Sequence, residues 1–281
     1  MTHIPNITLN NGVAMPQLGL GTWQARDGAE VEQAIAAAFT AGYRLIDTAA
    51  MYANEAGVGN AIRASGLDRK DIFLTTKLWN GEQGYEETLK AFDASLRRLG
   101  LEYVDLYLIH WPMPTVGTFM ESWKAMEKLY AEKRVRAIGV SNFTPAHLET
   151  LLQEATVTPA INQIELHPKF TQTATREYCE EHGIQVESYS PLMRGGEVLD
   201  DTIIRSIAGA HGKTAAQVTL RWHIQHGLIV IPKSVTPARI EENAGIFDFE
   251  LTAEEMQRID QMDAQKRIGA DPDEFTVGAR Q

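Results

Sequence analysis

The sequence predicts an α/β protein folded as one (β/α)8 TIM barrel, with an N-terminal β-hairpin plug and extra C-terminal helices. Three observations carry that expectation. Short apolar runs recur eight times, at 18–20, 44–46, 72–75, 104–109, 135–140, 160–164, 185–188 and 228–231. Runs of that length, apolar on both sides, suit strands of a parallel sheet buried on both faces. Between them lie segments with apolar residues at helical spacing, and no Gly/Ser/Pro-rich linker interrupts the alternation. Eight strand–helix units then fill one domain over residues 1–281.

In chain order, Ile7-Thr8-Leu9 and Val13-Ala14-Met15 flank Asn10-Asn11-Gly12. Asn-Gly supplies the φ > 0 residues that a tight hairpin needs, placed to plug the lower end of the barrel. Val31, Ile35, Ala38 and Phe39 share one helix face, as do Leu89, Phe92, Leu96 and Leu99. Thr144-Pro145 and Thr236-Pro237 each set an N-cap hydroxyl before a proline at the first helical position. The stretch 201–226 is long enough for two helices, and Thr252-Ala253-Glu254-Glu255 is a capping box for one more. The rival architecture, a doubly wound open sheet, announces a nucleotide site with G-x-G-x-x-G after its first strand. The near match Gly57-Val58-Gly59 has Ile62 at its sixth position and follows no strand.

The composition is ordinary for a globular chain, 44% hydrophobic and 22% charged. With 26 Lys and Arg against 37 Asp and Glu, the net charge is −11, so a nucleic-acid partner finds no general basic surface and any anion needs a local site. The lone Cys179 forbids an internal disulfide and a cysteine zinc site. Met1 to Asn6 has neither a basic nor an apolar signal-peptide region, and no apolar run approaches about 18 residues. A cytoplasmic protein with no membrane partner is the expectation. His223 and His226 stand i, i+3 without a third ligand nearby, so no metal is expected. Lys133-Arg134-Val135-Arg136 reads as a helix end, where cations suit the dipole.

A barrel places its chemistry at the C-terminal ends of its strands. Those positions hold Asp47 with Tyr52 beyond it, Thr76-Lys77, His110-Trp111, Ser141-Asn142, Gln163 with Glu165 and His167, Tyr189-Ser190 and Lys233-Ser234. So many polar groups on one rim cost desolvation unless they have work to do. A tyrosine hydroxyl, ordinarily near pKa ~10, is made more acidic by an adjacent ammonium. Lys77 can supply that charge, Asp47 can hold Lys77, and Tyr52 becomes a general acid. His110 can donate to a carbonyl oxygen as charge develops on it. Asn142 and Gln163 complement a carboxamide, and Tyr189 can stack on a flat ring. Lys233, Ser234, Thr236 and Arg239 gather at a helix start, where anions bind, which suits the adenosine phosphate end of NADPH. Trp23, Trp79 and Trp111 each follow a strand end and can wall a substrate pocket, with loop 112–119 and the tail 269–281 closing over it.

These residues resemble the pattern of the aldo-keto reductase superfamily. Gly42 through Tyr52 looks like its first signature, Val104 through Pro112 like its second, and Ile138-Gly139-Val140-Ser141-Asn142-Phe143, Asn162 through Pro168, Ile231-Pro232-Lys233-Ser234 and Asn243 with Ile246-Phe247-Asp248-Phe249 like further blocks. Within the superfamily, Thr75-Thr76-Lys77-Leu78-Trp79-Asn80 is most similar to the bacterial 2,5-diketo-D-gluconate reductase type. The resemblance implies a monomeric NADPH-dependent reductase of small aldehydes and ketones, such as methylglyoxal or diketogluconate-like keto sugars. In it the 4-pro-R hydride passes directly to the carbonyl carbon and Tyr52 donates the proton. It implies that Ser141, Asn142 and Gln163 hold the nicotinamide carboxamide and that Tyr189 stacks on its ring, a place where the diketogluconate type can carry Trp. Thr22, Trp23, Ser190, Pro191 and Leu192 would be further NADPH contacts, and Lys233, Ser234, Val235, Thr236, Arg239, Glu242 and Asn243 would hold the 2′-phosphate end. Two other classes stay open on the residues alone. One is a Schiff-base lyase with Lys77 as nucleophile; the other is a non-catalytic sensor that keeps barrel and coenzyme.

Overall fold

The computed structural model describes residues 3–279; Met1 and Thr2 of the N-terminal segment, and Arg280 and Gln281 of the tail, lie outside the described residues. The chain opens with strands β1 (Asn6–Thr8) and β2 (Ala14–Pro16), paired antiparallel with Ile7 opposite Met15. Leu9 and Val13 close the loop through the Leu9 N–H on the Val13 carbonyl at 2.9 Å. Asn10-Asn11-Gly12 is therefore a three-residue loop, and only Gly12 has a positive φ, 83°. The hairpin is the one expected from Asn-Gly, with glycine alone taking the left-handed position.

Eight parallel strands follow: β3 (Gly19–Gly21), β4 (Leu45–Asp47), β5 (Phe73–Leu78), β6 (Val104–Ile109), β7 (Val135–Ser141), β8 (Ile161–Glu165), β9 (Gln185–Tyr189) and β10 (Ile229–Val230). Each pairs with its sequence neighbour. Bridges from Leu18 to Val230 and from Gly21 to Lys233 join the first strand to the last and close the barrel. Strand β5 runs to Leu78, beyond the expected end, so Lys77 stands within the sheet opposite Leu108.

The helices between the strands are α1 (Ala29–Ala41), α2 (Glu55–Ala64), α3 (Tyr85–Leu99), α4 (Phe119–Ala131), α5 (Pro145–Leu152), α6 (Thr173–Glu181), α7 (Thr202–His211) and α8 (Ala215–Gln225). After β10 come α9 (Pro237–Ala244) and α10 (Ala253–Asp260). The capping box at Thr252 forms, with the Glu255 N–H on Oγ1 at 3.2 Å and the Thr252 N–H on Glu255 Oε2 at 2.8 Å. The basic run 133–136 straddles the α4–β7 junction, and Arg134 and Arg136 pair with Asp93 and Asp105, so it is a pair of tethers and not a helix-end cluster.

Because the sheet closes, its strands have two apolar environments. Inside, Leu45, Phe73, Leu106, Leu108, Ile161 and Ile229 form one cluster, capped from below by Leu9 and Met15 of the hairpin. Outside, Ile46, Leu74, Tyr107, Ile138 and Val140 meet the helix faces carrying Val31, Ile35, Phe92 and Leu96. Gly57 and Gly59 belong to this outer layer. A Cβ at Gly59 would run into the Leu99 backbone, so the helix–helix approach explains this pair of glycines.

Candidate active site

The inner apolar cluster fills the barrel only part-way, and above it the strand ends turn polar. Asp47 ends β4, and Lys77 stands on the neighbouring β5 with its side chain fully buried. The Lys77 ammonium donates to Asp47 Oδ1 at 2.6 Å and Oδ2 at 2.8 Å, to the Thr48 carbonyl at 3.0 Å, and to the Tyr52 hydroxyl at 3.3 Å. Burial is the largest single influence and works against the charge on Lys77, but Asp47, Tyr52 and Glu187 together outweigh it and hold the lysine above its ordinary pKa. An ammonium so held keeps its proton, which argues against a lysine nucleophile.

Tyr52 corrects one expectation. Burial raises its hydroxyl above the ordinary tyrosine value; Lys77 pulls it down, while Asp47 and Glu187 push it up. The net shift is upward, so Tyr52 holds its proton throughout the neutral range. Its acidity in use must come from a Lys77-stabilised phenolate as the proton leaves. His110 stands beside it at a ring-centroid distance of 5.7 Å, edge to face. Burial, then the Lys77 charge, lowers its pKa well below the usual value, so the imidazole is neutral. Its Nδ1 is buried without a partner among the described residues, which leaves Nε2 to meet a ligand.

The amides behind this cluster are more committed than their sequence positions suggest. The Gln163 side-chain nitrogen donates to Asp47 Oδ2 and to Glu187 Oε2, each at 2.8 Å. Asn142 donates to the His110 carbonyl at 3.0 Å and to Ser141 Oγ at 3.2 Å, and accepts the Tyr189 hydroxyl at 2.8 Å. It adopts a left-handed backbone, φ 65°, the strained kind of position that clusters at functional sites. The nitrogens of both amides are thus occupied; what remains toward a carboxamide is acceptor capacity on the oxygens.

Thr22 ties the end of β4 by donating its hydroxyl to the Asp47 carbonyl at 2.9 Å. Ser190, Pro191 and Leu192 lead into the loop beyond β9, where the Arg194 guanidinium lies over the Trp23 ring, 4.7 Å from its centroid. Lys233, Thr236 and Arg239 are exposed around the start of α9, with Ser234 and Val235 half-buried and Asn243 buried. Lys233 and Arg239 have no ion-pair partner among the described residues. Glu242 departs from expectation, since Thr214 Oγ1 donates to its carboxylate at 2.9 Å and draws it to the start of α8.

Trp79 packs edge-on to His110 at 5.4 Å and Trp111 stacks on it at 6.4 Å, while Trp23 carries the Arg194 guanidinium on its ring. Phe275 joins the two tryptophans, 4.3 Å from the Trp111 ring and 6.5 Å from Trp79. It arrives on the tail, which begins where buried Glu165 accepts the backbone N–H groups of Ile268 and Gly269, both at 2.7 Å. Further along the tail, Asn80 Nδ2 donates to the Val277 carbonyl at 2.8 Å. Sequence reasoning missed Phe275 and Glu187. The signal for Glu187 was an acid at the middle of a short strand in a sheet buried on both faces; Phe275 carried only its aromatic character in an acidic stretch.

Elsewhere, both His223 ring nitrogens lie on backbone carbonyls and His226 Nε2 lies on Asp260. The Cys179 thiol is buried and pushed up to about 11 by that burial. A cavity of about 730 Å³ opens beside α6 near Thr8, Arg176 and Asp263, away from the strand C-terminal ends.

A sequence profile of the Aldo/keto reductase family matches residues 17–264, which span the barrel and its mouth. The chain belongs to the aldo/keto reductase family. The 9,11-endoperoxide prostaglandin H2 reductase of Trypanosoma cruzi is 53% identical over 98% of this chain and 97% of its own. The glyoxal reductase of Bacillus subtilis is 51% identical over 96% of each chain. A crystal structure of a Gox0644 mutant in complex with NADPH superposes with a TM-score of 0.92 at 49% identity, covering 96% of this chain and 98% of that one.

Proposed function

We propose that this aldo/keto reductase reduces small aldehydes and ketones, dicarbonyls such as methylglyoxal or diketogluconate-like keto sugars among them, to alcohols with NADPH. The observation that carries the reading is the four-group cluster of Asp47, Lys77, Tyr52 and His110 at the barrel mouth, two of whose members are a protonated phenol and a neutral imidazole. The residues present fit the coenzyme. Lys233 and Arg239 are exposed cations with no ion-pair partner among the described residues, in a chain of net charge −11, suited to a phosphate. The acceptor oxygens of Gln163 and Asn142 suit a carboxamide, and Ser141 would help seat it. Tyr189 suits the ring. Thr22, Trp23, Ser190, Pro191, Leu192, Ser234, Val235, Thr236 and Asn243 would complete the contacts, and Glu242 would join only by leaving Thr214.

NADPH, when bound, supplies hydride to the carbonyl carbon. Tyr52 and His110 Nε2 receive the carbonyl oxygen; Tyr52 gives it a proton, and the phenolate left behind faces the Lys77 ammonium. Asp47 keeps that ammonium in place. Trp79, Trp111 and Phe275 exclude water above the site, where charge–charge terms strengthen. Residues 1–281 as a single domain, a monomeric state and a cytoplasmic location complete the proposal; no helix among the described residues is long and apolar enough to cross a membrane.

Steady-state oxidation of NADPH against methylglyoxal, aromatic aldehydes, α-diketones and diketogluconate tests it. Turnover with dicarbonyls is the expected result. Tight NADPH binding without oxidation by any of them would favour a sensor.

A further inference from the structure

Glu187 belongs to none of the groups given a role above. It sits on β9 with its Cα paired to Gln163 of β8 and Ile229 of β10, and it is fully buried. Its Oε2 accepts from Gln163 at 2.8 Å and its Oε1 has no partner among the described residues. The amide nitrogen of Gln163 has two hydrogens, and the second goes to Asp47 Oδ2. With both hydrogens spoken for, the orientation of the amide is determined: nitrogen on the two carboxyls, oxygen as the one open group. Asp47 alone would hold only one of the two hydrogens.

We propose that Glu187 is a positioning residue, which pins the Gln163 nitrogen against Asp47 so that Gln163 meets the coenzyme carboxamide as an acceptor. The inference rests on the reductase reading and extends it to a residue that touches neither substrate nor coenzyme. A carboxyl can do this next to Asp47 because it is neutral there: burial and then the Asp47 charge push it up to about 8. The titratable groups that face it are Asp47 from β4, Lys77 from β5 and Tyr52 from the segment after β4, while Ile229 of β10 brings none. When Glu187 ionises, it adds a second negative charge near Tyr52, strengthens that hydroxyl's hold on its proton, and weakens it as an acid.

Two substitutions separate the hydrogen bond from the charge. Glu187→Gln keeps an acceptor for Gln163 and cannot ionise; Glu187→Leu removes both. NADPH affinity, read by fluorescence titration without turnover, should stay within about threefold of wild type in Glu187→Gln and weaken by about tenfold in Glu187→Leu, the loss expected for one hydrogen bond. The kcat for methylglyoxal in the wild type should step down by about two- to threefold through pH ~8, and Glu187→Gln should lack the step. A Glu187→Leu protein that binds NADPH as wild type does would overturn the inference, as would a step that persists in Glu187→Gln. If Glu187→Leu does not fold, the pH profile of Glu187→Gln decides alone. Failure of the wild type to reduce any carbonyl would instead count against the proposed function, and the affinity comparison would still be readable.

Discussion

Replacing Lys77 with methionine keeps most of the side chain's volume and removes its charge. The ammonium makes four polar contacts, two of them to Asp47 at 2.6 and 2.8 Å, and both partners are buried. Removing one member of such a pair leaves an uncompensated buried charge, at a cost of about 3–5 kcal/mol. For a chain of this size that corresponds to a melting temperature lower by about 6–20 °C. The pH dependence has a definite sign. In the wild type the pKa of Lys77 is raised, so the pair's contribution is complete below the ordinary lysine value and is lost only above it. In Lys77→Met the Asp47 carboxylate is left buried without its cation. The penalty belongs to that uncompensated negative charge, so it is largest at high pH and is relieved as the pH falls. Thermal melting at pH 5.5 and 8 should therefore show a larger deficit at 8, and adding Asp47→Asn should recover most of it. A Lys77→Met protein that melts within about 2 °C of wild type at pH 8, or a double variant no better than the single, would refute the reasoning.

Two further outcomes follow from the same site. Because His110 is held neutral well below its usual pKa and Tyr52 is held protonated above its own, kcat should be flat between about pH 6 and 7.5; a midpoint near the ordinary histidine value would show a charged His110. Arg239→Ala should weaken NADPH roughly 10–100-fold and NADH little, since it removes one charged partner of a 2′-phosphate. Equal losses in paired coenzyme titrations would take Arg239 out of that role.

The barrel was legible because eight apolar runs can be buried on both faces only by a closed or doubly covered parallel sheet, and no Gly-rich turn followed the first of them. The rim was legible for the same reason: a strand's end is where a run of apolar residues stops, and Asp47 and His110 stand where the runs stop. Lys77 shows the limit of that rule, since β5 continues past it and the lysine is buried in the sheet. What a sequence does not show is the balance between burial and charge. Lys77 beside Tyr52 suggests an acidified phenol, yet burial and Asp47 together exceed the lysine's effect. Nor does it show which hydrogens of an amide are free. The commitments of Gln163 and Asn142 arise from residues as far apart as Asp47, Glu187 and Tyr189, which only barrel closure brings together. Trp23 follows a strand end like Trp79 and Trp111 and carries the Arg194 guanidinium on its ring, while the contact of Phe275 with Trp111 is brought about by the path of the tail.

Single-turnover hydride transfer in Tyr52→Phe tests the role of the tyrosine most directly, because the substitution deletes one oxygen from the ring. With NADPH affinity within about threefold of wild type, the transfer rate should fall by at least ~100-fold, the usual scale for a lost general acid. A variant that keeps more than about a tenth of the wild-type rate would mean that the proton comes from elsewhere.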